Sequence, residues 1–408
     1  MADIRVLMMG GERSGKTSIL AGLFDIMSQS PVSNIIRAED VTVLETKDGV
    51  IQDSLNEKIT ELKKVLLEKK GRTILVDDTN TDNFWNYTLR LHLMEADDYL
   101  DIVFTDTNGE FYESGDTHND EVEKLIAEAD IIIVVVDTPS IMQSAVKSDT
   151  LCTTAVCRGI NRIDGIHNFL SGLNDAEGQI AKQIVFVPVK CEKWAKEGKL
   201  EDVRGRIEEL YDTSIKTLKS FAKFEIDIIP VQTAGNIVFM EYRESYVAIN
   251  PSGVVQDCCF LDDDSVRLAD GKILSSIKGW RFHENAKKVI KGTSILKPDP
   301  WYCVCGDKYA PENCEQLAFY VIRFILKRYK DVVDQSMSKR FEYIVKAEMS
   351  FIKRILCFAL LLAFKSRIEQ IDIAVMVAIE NTLAKLSTEG LILEDTCGIK
   401  MIKSINDK

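Results

Sequence analysis

Eight consecutive residues, Gly10-Gly11-Glu12-Arg13-Ser14-Gly15-Lys16-Thr17, fit the pattern G-x-x-x-x-G-K-[ST]. Glycines at those spacings let a backbone wrap around a polyphosphate with its N–H groups turned inward. A helix starting directly after the loop adds the positive end of its dipole. In such a loop Gly11, Glu12, Arg13, Ser14, Gly15 and Ser18 would line the phosphates. Lys16 would reach the β- and γ-phosphates, and the Thr17 hydroxyl would bind Mg²⁺. The motif needs a strand before it and a helix after it. Ile4 to Met9 reads as a short buried strand, and Thr17 to Met27 carries apolar residues at helical spacing.

A magnesium-bound triphosphate also needs an acid nearby. Two strand ends offer one: Asp106 after Ile102 to Thr105, and Asp137 after Ile131 to Val136. Asp106 also opens Asp106-Thr107-Asn108-Gly109, a D-x-x-G. Gly109 would let a backbone N–H approach the γ-phosphate, so that its loss is felt by the next loop. Asp106 is therefore preferred as the metal acid, and Asp137 reads as a turn residue ahead of Pro139. Base recognition belongs at the carboxyl ends of later strands. There Lys190 can stack its stem on a purine, and the Glu192 carboxylate can accept from ring N–H groups. Thr233 and Ala234, after the last strand, can offer backbone N–H groups to a base carbonyl.

These residues must be held by elements. Buried strands are expected near 4–9, 100–106, 131–136, 184–189 and 226–231, with helices between them. That pattern predicts an α/β sheet covered on both faces. Tyr87 to Leu93 alternates and stands only about six residues from the next strand. The pair should form an antiparallel hairpin, because a parallel crossover needs a dozen residues or more. The expected fold is a P-loop NTPase sheet, mostly parallel with one antiparallel strand, plus a small β insert and a C-terminal helical unit. Residues 1–235 form the nucleotide domain, 236–300 a small β-rich insert, 301–330 a closing helix, and 331–408 a C-terminal helical domain. Further helices are expected over 51–67, from about 143 to 173 and from 200 to 224.

Composition narrows the classes. The chain has 408 residues and a net charge of −13, from 51 Lys and Arg against 64 Asp and Glu. Residues 331–408 carry 11 basic and 11 acidic side chains, so the excess lies in the first 330 residues. Such a balance argues against charge-driven nucleic-acid binding. The longest apolar run, Ile355 to Phe364, is half of what a membrane span requires. The ten cysteines are scattered, and Met1 to Met9 lacks the features of a signal peptide. Reduced thiols in a cytoplasmic protein are the expectation. Cys258, Cys259, Cys303 and Cys305 number enough for a four-thiolate zinc site, but their spacing departs from the usual knuckle.

On the phosphate loop, the D-x-x-G, the K-x-E at 190–192 and the hairpin at 87–106, the chain resembles the TRAFAC-class P-loop GTPases. The resemblance runs from Asp3 to about Gly235. Within the class the chain most resembles the prokaryotic GTPases that accompany partner proteins in conflict or defence-type systems. The resemblance implies a GTP- and Mg²⁺-dependent switch with a protein partner. It assigns Lys16 and Glu110 to catalysis, and Thr17, Asp106 and a first-switch threonine, Thr81 in preference to Thr79, to the metal. Three positions depart from the pattern. Val189 stands where the base motif has asparagine, and Glu192 where it has aspartate, so guanine specificity does not follow from the motif. Glu110 stands where a glutamine commonly orients the attacking water, which points to slow or partner-stimulated hydrolysis. An ATP-dependent NTPase or kinase, and a non-hydrolysing nucleotide-binding module, are the other classes the residues admit.

Overall fold

The computed structural model describes residues 4–324 other than 29–35, 48–49, 76–83, 94–98, 113–115, 147–150, 174–181, 222–223, 275, 286–296, 315 and 319. Its first half runs Ile4–Gly10 (β1), Lys16–Ser28 (α1), Ile36–Asp40 (β2), Thr46–Lys47 (β3), Val50–Ile51 (β4), Leu55–Lys69 (α2), Thr73–Leu75 (β5), Trp85–Leu93 (β6), Tyr99–Asp106 (β7), Asn119–Glu128 (α3) and Ile131–Asp137 (β8). It continues with Thr138–Gln143 (α4), Thr154–Ile160 (α5), Ile163–Ser171 (α6), Lys182–Val189 (β9), Glu192–Lys196 (α7), Leu200–Leu210 (α8), Asp212–Lys219 (α9) and Phe224–Ile228 (β10).

Seven strands form the central sheet in the order β10-β9-β8-β1-β7-β6-β2. β1 pairs parallel with β7 and β8, and β9 pairs parallel with β8 and β10. β6 is the antiparallel member, paired with β7 on one side and β2 on the other. All seven residues of β8 are buried. A sheet covered on both faces needs a continuous apolar run at its centre. One core lies between the sheet and α1, with Ile19, Leu20 and Leu23 against Met8, Ile133 and Val135. The other lies on the opposite face, under α3, α6 and α8. The described helical residues between 314 and 324 join the first core through Leu317, Val321 and Ile322.

Local chemistry moved several boundaries. α2 starts at Leu55, not 51, because Ser54 caps it. Ser54 Oγ accepts from the Glu57 N–H at 3.2 Å, and the Glu57 carboxylate accepts from the Ser54 N–H at 2.8 Å. The long helix expected over 143–173 is divided. α4 begins at Thr138, with Pro139 in its first turn and Asp137 accepting from the Ser140 N–H at 3.0 Å. α5 and α6 are separated by Arg162, which takes a left-handed backbone at φ +53°. The strand expected over 226–231 ends at Ile228, yet the N–H groups of Ile229 and Val231 still bond to β9 carbonyls.

Beyond Gly235 the chain is β-rich: Ile237–Arg243 (β11), Tyr246–Ile249 (β12), Val255–Phe260 (β13), Val266–Leu268 (β14), Ile273–Leu274 (β15), Arg281–Glu284 (β16) and Asp299–Val304 (β17). β12 to β16 make an antiparallel sheet in the order β15-β14-β13-β12-β16. β11 and β17 pair antiparallel, and β5 adds to the other edge of β17, Trp301 opposite Leu75 and Tyr302 opposite Ile74. A strand from residues 73–75 thus belongs to the same small sheet as residues 237–243. Residues 301–304, read from sequence with the closing helix, are strand. Cys258 and Cys259 pack into two different apolar clusters. No group of three or more metal-capable His, Cys, Asp or Glu side chains occurs among the described residues. No helix among them is long and apolar enough to cross a membrane. The readings placed on residues 331–408 lie outside the described residues.

Candidate functional site

The central position of β1 delivers Gly10 to the carboxyl edge of the sheet, between the ends of β7 and β8. The chain then turns through Gly11–Gly15 and enters α1 at Lys16. Gly15 has φ +99°, which a side chain would strain. The Lys16 ammonium lies back over the loop, donating to the carbonyls of Gly10 at 3.2 Å and Gly11 at 3.0 Å. The Ser14 hydroxyl is buried with no hydrogen-bond partner among the described residues. The Thr17 hydroxyl donates to Asp106 Oδ2 at 2.7 Å, joining the start of α1 to the end of β7. Burial raises the Asp106 carboxyl above the usual carboxylate range, against the pull of the Lys16 ammonium and the Thr17 hydroxyl. The Thr17 hydroxyl and the Asp106 carboxylate side by side form a hard-oxygen pair of the kind that suits Mg²⁺.

The other strand-end acid is engaged differently. Asp137 caps α4, accepts from Lys190 Nζ at 2.7 Å and from the Tyr242 hydroxyl at 3.2 Å, and takes no part in the Thr17 contact. Its own N–H donates to Asn161 Oδ1 at 2.7 Å. Asp137 is thereby a framework residue behind the loop.

After Asp106 the Thr107 hydroxyl donates to the Met8 carbonyl at 2.7 Å and also bonds to the Tyr112 hydroxyl. Gly109 lies against the phosphate loop so closely that a Cβ there would overlap the backbone N of Glu12. A short 3-10 turn, Gly109–Tyr112, follows. The Phe111 ring stacks on His118 at 4.1 Å and meets Phe84 at 4.6 Å, so the residue just before β6 touches the segment after Gly109. His118 also bonds to Asp116 at 2.8 Å. Glu110 donates its N–H to Asn108 Oδ1 at 3.0 Å, and its side chain does not line the cavity described below. Thr79 and Thr81 lie outside the described residues.

At the third corner, Lys190 takes φ +59° and its ammonium donates to the Arg13 carbonyl at 2.7 Å as well as to Asp137. Burial works against the Lys190 charge, but Asp137 and Tyr302 together outweigh it and hold the ammonium above the usual lysine range. Glu192 is 1% exposed. Its Oε1 accepts from the N–H groups of Ala234 at 3.0 Å and Gly235 at 3.2 Å, while Oε2 is buried without a partner among the described residues. Burial raises its carboxyl, and the two amides oppose the rise. Thr233 and Ala234 are buried too. Glu192, Thr233 and Ala234 therefore meet one another, yet none of the three faces the cavity.

That cavity has a volume of about 650 Å³. Its floor is the phosphate loop from Glu12 to Ser18 together with Asp106 to Gly109. One side is α2, with Lys58, Leu62 and Val65. The far wall is formed by the β-rich region, including Ile237, Gln256, Pro300 and Tyr302. The same region touches the loop itself. Lys297 Nζ donates to Glu12 Oε2 at 3.3 Å, and Arg13 stands 4.0 Å from Asp299. Sequence reasoning assigned none of Ile237, Gln256, Lys297, Asp299, Pro300 and Tyr302 to the site. They carry no motif and lie far along the chain, Lys297 being 285 positions from Glu12.

A family model described as Double-GTPase 2 matches residues 4–238. A comparison with curated proteins finds no match. A solved structure described as the crystal structure analysis of sup35 complexed with GMPPNP is similar over 74% of this chain and 67% of its own, at 8% identity and a TM-score of 0.27, too distant a likeness to bear weight.

Proposed function

We propose that this chain, which belongs to the Double-GTPase 2 family, binds GTP with Mg²⁺ in the cavity over residues 10–17 and hydrolyses it slowly, as a nucleotide-dependent switch. The observation that carries the reading is the junction of Lys16, Thr17 and Asp106 at one end of a cavity of about 650 Å³. Lys16 is held by two loop carbonyls that it can exchange for phosphate oxygens. The loop N–H groups and the start of α1 supply positive potential where a triphosphate brings negative charge. Ser14 offers a hydroxyl that none of the described residues satisfies. Thr17 and Asp106 would hold Mg²⁺, which would supply charge neutralisation at the phosphates.

The residues' share of hydrolysis is positioning and electrostatics, as phosphoryl transfer requires. Lys16 and the loop amides stabilise charge on the transferring phosphate. Gly109 gives the backbone of the D-x-x-G access to that phosphate. Glu110 stands beside this turn but outside the cavity, and a carboxylate there repels the γ-phosphate. Orientation of the attacking water then falls to a rearranged 109–112 turn or to a protein partner. Both imply a low basal rate. The Phe84–Phe111–His118 stack would relay a change at Gly109 to the segment ahead of β6.

A second reading, hydrolysis of ATP, is favoured by one observation: Glu192, the residue aligned with the guanine-reading carboxylate, is turned into the protein. Single-turnover hydrolysis of γ-labelled GTP and ATP separates the two. The proposal expects GTP to be consumed faster than ATP, and Lys16→Ala to abolish turnover. Equal or faster use of ATP supports the second reading, and turnover that survives Lys16→Ala refutes both.

A further inference from the structure

Two residues at the crown of the phosphate loop are held from the β-rich region. Lys297 reaches Glu12 at 3.3 Å, and Asp299 stands 4.0 Å from Arg13. A third link is indirect and runs through the central sheet. Tyr242, on β11, is buried, and its hydroxyl donates to Asp137 Oδ2 at 3.2 Å. The other oxygen of that carboxylate accepts from Lys190 Nζ at 2.7 Å, and the same ammonium donates to the Arg13 carbonyl at 2.7 Å. Tyr242, Asp137, Lys190 and Arg13 thus form one unbroken line of hydrogen bonds from β11 to the loop. The pairing of β11 with β17 sets Tyr242 opposite Pro300 and Arg243 opposite Asp299, so one strand pair delivers both Tyr242 and Asp299.

We propose that Tyr242 is a positioning residue for the phosphate loop, through which the β-rich region governs how long a nucleotide stays bound. Its hydroxyl orients Asp137, Asp137 orients Lys190, and Lys190 holds the Arg13 carbonyl. The inference rests on the phosphate-loop reading above and adds control of release to the same site. Arg13 has φ +60°. A residue with a side chain persists in that left-handed backbone where its surroundings over-determine it, as Lys190 and Asp299 do here. The peptide joining Arg13 to Ser14 is planar and trans, so fixing its carbonyl also fixes the direction of the Ser14 N–H. A phosphate cradle depends on the direction of such amides. Asp137 takes a further donor, the Ser140 N–H at 3.0 Å. Without the Tyr242 hydroxyl, the Asp137–Lys190 pair keeps its charges and loses one of the bonds that fix its orientation. The effect falls on release more than on capture, since differences in contact strength appear chiefly in dissociation rates.

The test is the dissociation rate of GDP carrying a fluorescent ribose label, chased from the full chain by excess unlabelled GTP in Mg²⁺. Tyr242→Phe removes the hydroxyl and keeps the ring. Loss of one hydrogen bond to a carboxylate should speed dissociation roughly three- to tenfold, with the association rate almost unchanged. Tyr246→Phe, in the same region but outside the line, should behave as the parent. A second background, Asp137→Asn with Lys190→Met, breaks the line without leaving a buried charge unpaired. Adding Tyr242→Phe there should leave the dissociation rate unaltered, a result that general loosening of the fold would not give. The inference is overturned if Tyr242→Phe dissociates at the parent's rate, or if it accelerates release as much in the second background as in the parent. Failure of the underlying reading looks different: the labelled nucleotide would not bind the parent, or would bind Lys16→Ala equally well.

Discussion

Lys190 and Asp137 form an ion pair at 2.7 Å behind the phosphate loop, and the same ammonium donates to the Arg13 carbonyl at 2.7 Å. One side chain thus fixes the end of β9 to the end of β8 and to the loop. Asp137 has a side chain only 5% exposed. Removing its cation leaves a buried carboxylate with hydrogen bonds but no counter-charge, and breaking such pairs costs about 3–5 kcal/mol. Lys190→Ala should destabilise the protein by that order, and adding Asp137→Asn should recover part of the loss. A double-mutant cycle from urea unfolding measures the coupling.

Asp106 should matter in proportion to magnesium. Asp106→Asn keeps an acceptor for the Thr17 hydroxyl but removes the charge. Charge-assisted bonds are worth about 1.5–3 kcal/mol, so GTP affinity in Mg²⁺ should fall roughly ten- to hundredfold. In EDTA the variant and the parent should bind alike. Calorimetric titration in both buffers reads the difference.

Gly109 has no room for a side chain against the Glu12 backbone. Gly109→Ala must push the D-x-x-G turn and the phosphate loop apart. Overpacking of this kind costs about 1–3 kcal/mol. Thermal unfolding without nucleotide should show a modest drop, and GTP affinity a loss of tenfold or more. A variant with unchanged affinity would mean that the two loops need not touch when the site is filled.

Glu192 gives a pH signature. Burial raises its carboxyl in the folded protein above its unfolded value. Its contribution to stability is then fully present below the unfolded pKa and is lost as pH rises through the folded one. Glu192→Gln removes the buried charge while keeping an oxygen for the Ala234 and Gly235 N–H groups. The variant should melt higher than the parent at pH 8, and the gap should close as pH falls towards 4. Melting temperatures across that range check the sign.

The parts of the architecture that sequence could reveal were those carried by local physics. The buried runs of β1, β8 and β9, the short link that forces β6 and β7 antiparallel, and the glycine-rich turn into α1 each have a cause within a few residues. The boundaries that moved also have local causes: the Ser54 capping box, the Asp137 cap, and the left-handed Arg162. The candidate site was less legible. Lys16, Thr17 and Asp106 come together because β1 and β7 are neighbours. Tyr302 sits on a strand that pairs with residues 73–75, and Gln256 and Lys297 come from the same β-rich region; no periodicity announces their approach. The inward turn of Glu192 was equally hidden, since it depends on two amides more than forty residues away.

A triphosphate gripped by the backbone and lysine of residues 10–17 should be visible in isothermal titration of the purified full chain with GTP and Mg²⁺, run beside Lys16→Ala. The parent should bind one-to-one, and the variant at least a hundredfold more weakly. Equal binding by the two proteins, or no heat from either with GTP or ATP, would contradict that grip.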